Sequence, residues 1–404
     1  MEAINKFLEF ADKNGLYPDL RIIEGAADPE VVIDGKKVLM FSSNNYLSLS
    51  SHPSVVNAAV EAVKKYGGGA GGSRLLSGNL KIFKELEETL VDFKGGEDAI
   101  VWPTGYSANV GIITAVMDSN LSKISDPLGS LFKKEGVILS DKLNHASIID
   151  GCRMVKQKVI PYKHSDMGEL EELLKKHKGA RKLIVTDGVF SMDGDIAPLD
   201  KISALAKKYN ALTMVDEAHA SGILGKTGRG TLEHFNLKPV EDIDIVMGTL
   251  GKSFGSAGGF ATGSKNLIRY LRVASRSYMF STAMTPATAA AANAAIKVAK
   301  NEPQWREKLL YNSKYMREGL QRVGFDTLTS ETQIVPIFVG GDDSAIKFGR
   351  KLFEKGIYGP PVRWPAVEKG KARIRVAVMA AHTKEQIDYL ISSCQEIGKE
   401  LKII

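Results

Sequence analysis

Two residues of opposite charge follow predicted strands in this chain, and their types and positions suggest covalent chemistry. Asp216 follows the apolar run at residues 211–215, and Lys252 ends a glycine-containing loop, residues 248–252, after the next predicted strand. Because open α/β sheets bind ligands at the carboxyl ends of their strands, both side chains are expected to face one crevice. A lysine that forms a Schiff base, with a carboxylate that keeps a pyridine nitrogen protonated, is the pair that pyridoxal phosphate chemistry needs. Spacing alone favours a structural Asp–Lys ion pair as the commoner arrangement, so both interpretations stay open.

Three glycine-containing segments resemble nucleotide-binding motifs, but each lacks a required feature. Residues 67–72 fit the GxGxxG spacing, but residues 53–65 before them have a helical pattern, whereas a dinucleotide fingerprint follows a strand. Residues 225–227 and 251–253 resemble the end of a P-loop, but the first glycine of the motif is missing in both. We therefore interpret residues 67–72 as a segment whose backbone approaches a ligand or a neighbouring chain.

The elements that position Asp216 and Lys252 alternate along the middle of the chain. Short apolar runs predict strands at residues 137–140, 182–186, 211–215 and 243–247. Amphipathic patterns predict helices at residues 167–177 and 199–209. The alternation indicates βαβ units in an α/β fold, with a mainly parallel central sheet that is covered on both faces.

The C-terminal part has a different pattern, which indicates a smaller α+β unit. The elements predicted there are strands at residues 333–339 and 372–379, a helix at residues 343–355, and a last helix that begins with a capping box of Thr383 and Gln386. An alanine-rich segment, residues 287–299, predicts a buried helix before this unit. We predict an N-terminal segment 1–45 that packs on the small domain, a large cofactor-binding domain 46–300 and a small C-terminal domain 301–404. Residues 119–136 predict a surface loop or insertion.

The composition of the 404-residue chain is typical of a soluble globular protein, with 44% hydrophobic and 25% charged residues. The 54 basic and 47 acidic residues are spread along the chain, so we expect no nucleic-acid partner. No apolar run is long enough for a membrane span, and the polar N-terminus does not resemble a signal peptide. The two cysteines, Cys152 and Cys394, form no CxxC motif, which favours a reducing, cytoplasmic location. We expect no metal site.

Seven motifs occur in a fixed order along the chain. They are residues 44–47 (NNYL), 72–78 (GSRLLSG), 104–109 (TGYSAN), 144–147 (NHAS), 187–195 (DGVFSMDGD), 215–219 (VDEAH) and 248–252 (GTLGK). Together they resemble the α-oxoamine synthases, which are fold-type-I pyridoxal phosphate enzymes similar to class II aminotransferases. The resemblance runs from about residue 15 to the C-terminus. It implies pyridoxal 5'-phosphate as cofactor, an amino acid and an acyl-CoA as substrates, and a homodimer with shared active sites.

The resemblance also implies a role for individual residues. Lys252 matches the Schiff-base lysine and acid/base at the substrate Cα, Asp216 the partner of the pyridine nitrogen, and His145 the imidazole that stacks on the ring. The other residues that match cofactor contacts are Gly105, Tyr106, Ser191, His219, Thr249 and, from the neighbouring subunit, Thr282. The residues that match substrate contacts are Arg375, which would hold the amino-acid carboxylate, Asn45 and Ser73.

Some of these residues have a plainer interpretation when taken alone. The plainer interpretation of His145 is a helix-capping or core histidine, and Ser191 and His219, each taken alone, are more often turn residues. Arg373, next to Arg375 in the same predicted strand, is expected to lie on the opposite face as a surface charge.

Only a few segments of the sequence indicate which members of the family this chain resembles most. Residues 72–79 resemble 8-amino-7-oxononanoate synthases, whereas residues 144–151 and 397–399 resemble glycine C-acetyltransferases. Residues 362–368 (VRWPAVE) depart from the Arg-Pro-Pro-Thr-Val-Pro pattern of the oxononanoate synthases, which leaves the acyl chain open. We expect a decarboxylative condensation like that of the oxononanoate synthases, with glycine C-acetyltransferase-like or serine palmitoyltransferase-like activity as alternatives. A catalytically silent relative, and a nucleic-acid binder supported only by the net charge of +7, are the hypotheses from other classes.

Overall fold

The computed structural model describes residues 1–13, 20–117 and 135–404 of the chain. The helices are α1 Glu2–Lys13, α2 Pro53–Tyr66, α3 Lys81–Lys94, α4 Gly105–Met117, α5 Ala146–Arg153, α6 Met167–Lys176, α7 Leu199–Tyr209, α8 Thr231–His234, α9 Lys265–Ala274, α10 Arg276–Met279, α11 Pro286–Asn301, α12 Gln304–Arg322, α13 Asp342–Glu354 and α14 Lys384–Glu400. The strands are β1 Ile23–Glu24, β2 Glu30–Ile33, β3 Lys36–Met40, β4 Asp98–Trp102, β5 Gly136–Asp141, β6 Lys158–Tyr162, β7 Arg181–Asp187, β8 Leu212–Asp216, β9 Ile245–Thr249, β10 Gly259–Gly263, β11 Ile334–Gly340, β12 Ile357–Tyr358, β13 Pro361–Val362 and β14 Ala372–Ala377.

The largest sheet has seven strands in the order β4-β10-β9-β8-β7-β5-β6. Neighbouring strands from β9 to β6 are parallel, and β10 is antiparallel to both β9 and β4. Side chains alternate between the two faces, so Ile138 packs with residues of α4 and α5 while Val137 and Leu139 pack with residues of α6 and α7. Apolar cover on both faces explains the continuous hydrophobic runs, and the predicted mainly parallel α/β fold is confirmed.

Four polar residues end neighbouring parallel strands of this sheet. The predicted strands correspond to β5, β7, β8 and β9, which end at Asp141, Asp187, Asp216 and Thr249. Because the strands are parallel, their last residues lie along one edge of the sheet. The register pairs Asp187 directly with Asp216. The sheet therefore brings two carboxylates together at the edge where Lys252 follows β9.

Two smaller sheets lie outside the seven-stranded one. An antiparallel sheet has the order β11-β14-β13, and a second sheet has the order β1-β2-β3-β12. In the second sheet, β3 pairs in parallel with β12, which joins residues near the N-terminus to residues near the C-terminus. The chain thus returns to its first strands after it has completed the large sheet.

The predicted helix boundaries at the C-terminal end agree with the structure. Thr383 and Gln386 form the predicted capping box at the start of α14. The alanine-rich helix α11 is largely buried and packs against α2 and α3. The predicted loop at residues 119–136 lies, up to residue 134, outside the described residues. Within the described ranges, no helix combines the length and the apolar character that a membrane span needs.

Candidate active site

A chain of short polar contacts joins Lys252 to Arg375. Lys252 Nζ lies 2.6 Å from His219 Nε2, and His219 Nδ1 lies 2.8 Å from the Tyr46 hydroxyl. The Arg375 guanidinium donates to that hydroxyl at 3.3 Å and to the side-chain oxygen of Asn44 at 3.1 Å. The structure therefore brings three predicted residues, Lys252, His219 and Arg375, into one crevice at the carboxyl edge of the large sheet.

Two buried carboxyl groups lie at the ends of β7 and β8. Asp216 accepts hydrogen bonds from the Asn109 side-chain amide at 2.7 Å and from the Ala218 backbone N–H at 2.9 Å. Asp187 accepts one from the His145 backbone N–H at 2.7 Å. Burial, followed by the charge of Asp216, raises the pKa of Asp187 well above its ordinary value. Asp187 therefore takes up a proton more readily than an ordinary aspartate does.

His145 is the N-cap residue of α5, so its capping role is present in the structure. Its Nδ1 accepts from the Ser147 backbone N–H at 3.2 Å and lies 2.7 Å from the Ser147 hydroxyl. Burial lowers the pKa of His145, the Asp216 charge opposes this, and the Lys252 charge lowers it further. The cap fixes the ring orientation, and the ring lies close enough to respond to both charges of the crevice.

Burial determines the protonation of the two nitrogen bases. It lowers the pKa of Lys252 to about 8, although the charges of Asp216 and Asp187 act in the opposite direction. Burial, followed by the charges of Lys252 and Arg375, lowers the pKa of His219 well below its ordinary value. The crevice therefore contains a neutral imidazole beside an amine that loses its proton more readily than an exposed lysine.

The expectation that Arg373 is a surface charge is wrong. Arg373 is only 4% exposed, and its guanidinium pairs with Asp193 at 2.5 Å. Residues two positions apart on a strand point to the same face, so Arg373 lies on the same face of β14 as Arg375. Arg375 donates from Nε to the backbone carbonyl of Ser191 at 2.5 Å. Both arginines thus contact the segment at residues 188–197, which we call the 188–197 hairpin because Val189 and Ile196 form an antiparallel bridge within it.

The start of α4 approaches Thr249 closely. A Cβ atom on Gly105 would lie 3.3 Å from both the Cβ and the hydroxyl oxygen of Thr249, so a side chain here would press on that residue. The first backbone N–H groups of a helix have no acceptor within the helix and favour an anion. Tyr106, next along the chain, is half exposed and donates its hydroxyl to Asp150 at 2.6 Å. The start of α4 therefore presents its first backbone N–H groups beside Thr249, whose hydroxyl donates to the Gly258 carbonyl at 2.9 Å in this structure.

Asn45 uses its side chain within its own turn. The Asn45 side-chain oxygen accepts from the backbone N–H groups of Leu49 at 3.1 Å and Ser50 at 3.3 Å. Its amide donates to the Ser50 hydroxyl at 2.7 Å and to the Ala27 carbonyl at 3.0 Å. Within this chain it is therefore Asn44, and not Asn45, that contacts Arg375.

Two further predicted residues, Ser73 and Thr282, contact each other. They form an isolated antiparallel bridge, and Ala283 N–H donates to the Gly72 carbonyl beside it at 3.0 Å. Among the described residues, no hydrogen bond joins either one to Lys252. The segments around Ser73 and Thr282 thus form one local unit of structure.

Four crevice residues were not predicted as site residues, although each lies in one of the seven motifs. They are Asn44, Tyr46, Asn109 and Asp187. Their position in the motifs was a signal that could have found them. Their contacts become clear only in the structure, from the register of β7 and β8 and from the packing of β14.

A fully buried ion pair lies beneath the turn that follows Asp216. Lys94 Nζ, at the end of α3, lies 3.4 Å from Glu217 Oε2 and 3.1 Å from the Ser221 hydroxyl. Glu217 also accepts from the Thr231 backbone N–H at 2.9 Å. Burial lowers the pKa of Lys94, and the Glu217 charge opposes this. The pair fixes Glu217, and with it the adjacent Asp216, against the body of the protein.

Comparison with known proteins decides the family. A family model described as aminotransferase class I and II matches residues 36–393. The chain belongs to the class I and II aminotransferase family. Among curated family relatives, the 8-amino-7-oxononanoate synthase of Thermoanaerobacter pseudethanolicus is 46% identical over 100% of this chain and 98% of its own length. That of Lysinibacillus sphaericus is 46% identical over 100% of both chains.

Solved structures of the same family share the fold. A serine palmitoyltransferase from S. paucimobilis with bound PLP–myriocin aldimine has a TM-score of 0.90 and 33% identity, covering 100% of this chain and 98% of its own. An 8-amino-7-oxononanoate synthase from Francisella tularensis has a TM-score of 0.75 and 27% identity, covering 91% of this chain and 99% of its own. The predicted family and the predicted fold class are confirmed.

Removal of the buried charge at Lys94 should destabilise the fold. Lys94→Met leaves Glu217 buried without its cationic partner, so the free energy of unfolding should fall by about 3–5 kcal/mol in denaturant titrations. Lys84→Met, at an exposed position of the same helix, is the matched control and should stay within about 0.5 kcal/mol of the wild type. Equal stability of the two variants would contradict the structural role of the pair.

The amine of Lys252 should become reactive at lower pH than an ordinary lysine. In cofactor-free protein, labelling of Lys252 by an amine reagent should increase with a midpoint near pH 8, because only the neutral amine reacts and burial lowers its pKa to about 8. Peptide mass spectrometry at a series of pH values measures the midpoint. Asp216→Asn should move it to lower pH, since the Asp216 charge raises this pKa. A midpoint at about 10.4, the value of an ordinary lysine, would contradict the environment described here.

Proposed function

We propose that this chain is a pyridoxal 5'-phosphate-dependent acyltransferase that condenses L-alanine with pimeloyl-CoA and releases CO2 and CoA, as an 8-amino-7-oxononanoate synthase. The observation that supports it most is the convergence of Lys252, His219, Arg375 and Asp216 on one crevice. The chain that carries this crevice is 46% identical over its whole length to a relative named 8-amino-7-oxononanoate synthase. The presence of all four residues also argues against a catalytically silent relative.

The residues present fit pyridoxal 5'-phosphate, which is the cofactor. The backbone N–H groups at the start of α4 would bind its phosphate, and the Thr249 hydroxyl would reach the same group by giving up its bond to the Gly258 carbonyl. The Asp216 carboxylate fits a protonated pyridine nitrogen, and the Lys252 amine fits its carbonyl carbon. When bound, the cofactor supplies an electron sink for the negative charge that develops at the amino-acid Cα.

The proposed contacts of the remaining residues follow the same arrangement. His145, whose orientation is fixed by its cap, would stack on the pyridine ring. Ser191 and His219 would bind the phenolic oxygen, and Tyr106 would lie near the phosphate beside the first turn of α4. Asp187 supports His145 through the backbone hydrogen bond.

Lys252 moves the proton at the amino-acid Cα. Because the pKa of Lys252 is about 8, this residue is a neutral amine in part of the molecules near neutral pH. The neutral amine can accept that proton. The His219 nitrogen 2.6 Å away limits where the amine can lie. After a bond forms from Cα to the acyl carbon, the C–S bond breaks, and CoA leaves as the thiolate, which takes a proton from water. The carboxylate then leaves as CO2, and Lys252 returns a proton to Cα.

Arg375 binds the amino-acid carboxylate. Its Nε is fixed by the Ser191 carbonyl, and one terminal nitrogen is fixed by Tyr46 and Asn44. These contacts orient the guanidinium before the amino acid arrives, so less entropy is lost on binding. The planar fork of arginine suits two parallel hydrogen bonds to a carboxylate.

We propose a homodimer in which the partner supplies Thr282 to the phosphate and Ser73 to the substrate. The bridge between Ser73 and Thr282 supports this, since one surface segment would then deliver both residues. Helix α2 also leaves three valines on one face, Val56, Val60 and Val63, each about 44–45% exposed. Apolar residues that line one face of a helix at the surface are typical of an interface.

We propose the domain organisation that the sequence predicted. Residues 46–300 would form the cofactor-binding domain, because they contain the seven-stranded sheet. Residues 301–404 would form the small domain, and residues 1–45 would pack on it. The pairing of β3 with β12 supports the last assignment.

Serine palmitoyltransferase-like activity is a second candidate. The serine palmitoyltransferase from S. paucimobilis has the higher TM-score of the two solved structures, 0.90 against 0.75. The family's amino acids differ only near Cα, and Arg375 would bind the carboxylate of each of them equally. The acyl chain and the amino-acid side chain therefore have to be tested directly.

A substrate matrix tests the proposed function. Purified protein with added pyridoxal 5'-phosphate is assayed for CoA release with alanine, glycine or serine, each combined with pimeloyl-, acetyl- or palmitoyl-CoA. We expect release with alanine and pimeloyl-CoA, and loss of release in Lys252→Ala. Preference for serine with palmitoyl-CoA would favour the second candidate. Release with none of these pairs would contradict both.

Replacement of the Arg375 guanidinium should weaken the binding of alanine but not that of pimeloyl-CoA. Arg375→Lys keeps the charge but loses the bidentate contact, so KM for alanine should rise about 10- to 100-fold while KM for pimeloyl-CoA changes little. Steady-state kinetics with each substrate varied in turn measure the two constants. Arg350→Lys, at an exposed position of α13, is the matched control. An equal rise of both KM values would count against the assigned role.

A further inference from the structure

His164 lies between two buried carboxylates outside the crevice. Its Nδ1 lies 3.1 Å from Asp141 Oδ1, and its Nε2 lies 2.8 Å from Asp195 Oδ2. An ionised carboxylate only accepts hydrogen bonds, so both ring nitrogens must donate, and the ring is an imidazolium. Burial opposes this charge, but the hydrogen bonds to Asp141 and Asp195 outweigh it and raise the pKa to about 10.

The two carboxylates belong to different parts of the fold. Asp141 ends β5 and also accepts from the backbone N–H groups of Leu143 and Ser165 at 2.9 Å each, which ties it to the edge of the large sheet. Asp195 lies in the 188–197 hairpin, where its carbonyl accepts from Phe190 N–H at 3.1 Å. His164 thus joins the sheet edge to the hairpin.

The opposite side of the same hairpin contacts the arginines of β14. The Ser191 carbonyl accepts from Arg375 Nε at 2.5 Å, and Asp193 pairs with Arg373. The Phe190 ring also packs edge-on against the His164 ring, with centroids 4.4 Å apart. The hairpin therefore contacts both His164 and Arg375.

We propose that His164 is a positioning residue for amino-acid binding, because its imidazolium fixes the 188–197 hairpin that orients Arg375. The inference deepens the proposed function and rests on the role given there to Arg375. His164 touches neither substrate nor cofactor. Without the hydrogen bond from Nε2, the buried Asp195 carboxylate would lose that donor, and the hairpin would lose its contact with the edge of the large sheet.

Two amide variants separate the two hydrogen bonds. The amide of His164→Asn reaches the position of Nδ1, so it keeps the bond to Asp141 and loses the bond to the hairpin. The longer amide of His164→Gln reaches the position of Nε2 and keeps the bond to Asp195. A role in stability alone would make the two variants equally defective, whereas a role in positioning makes His164→Gln the better one. His234→Asn, at an exposed position of α8, is the matched control.

Binding and kinetics of the holoenzyme form the first test. His164→Asn should raise the Kd for L-alanine, followed by the absorbance change of the bound cofactor, and the KM for alanine by about 10- to 100-fold. Its kcat and its KM for pimeloyl-CoA should stay within about threefold of the wild type. His164→Gln should recover most of the loss. Equal alanine affinity in His164→Asn and the wild type, or an equal loss in both amide variants, would overturn the inference.

Hydrogen exchange in cofactor-free protein forms the second test and does not depend on the reaction. Amides of residues 188–197 should exchange faster in His164→Asn than in the wild type, with His164→Gln between them. Unchanged exchange would overturn the inference. If exchange changes as expected but the wild-type holoenzyme does not bind alanine, the proposed function fails while the link between His164 and the hairpin stands.

Discussion

Burial of charge is the constraint on which the arrangement of the crevice depends. Lys252, Arg375, Asp187 and Asp216 meet where little water remains, and an isolated charge there would be strongly destabilising. Each has a polar partner: His219 for the amine, Tyr46 and Asn44 for the guanidinium, Asn109 for Asp216 and the His145 backbone N–H for Asp187. The same lack of water brings the pKa of Lys252 to about 8. A reactive amine is therefore a consequence of the packing.

Residues that follow the parallel strands could be placed from the sequence, because strands covered on both faces leave continuous apolar runs with clear ends. Asp216 and Lys252 were predicted to share a crevice on this basis. Arg375 lies in a different sheet, and no spacing rule relates it to Lys252, so its role came only from family resemblance. The register that pairs Asp187 with Asp216 is likewise invisible in one sequence. The error at Arg373 was avoidable, since alternation along a strand places it on the face of Arg375.

The 188–197 hairpin connects the two parts of the site. It receives both arginines of β14 on one side and the imidazolium of His164 on the other. Gly194, with φ of +74°, lies at its tip, where an added Cβ would be 2.2 Å from the Ile334 carbonyl oxygen, so the tip packs directly against β11. The hairpin is thus held against the large sheet by His164 and in turn holds Arg375, the residue proposed to bind the substrate carboxylate.

The pairing of β3 with β12 has a consequence for synthesis on the ribosome. Leu39 pairs with Ile357, so β3 emerges roughly 320 residues before its neighbour, a delay of about 15–60 s at common elongation rates. During that time one edge of the β2–β3 hairpin has open backbone hydrogen-bonding groups, while the large sheet can already fold. The first strands of the chain are therefore among the last to reach their final partners, and their open edge is exposed for longest during synthesis.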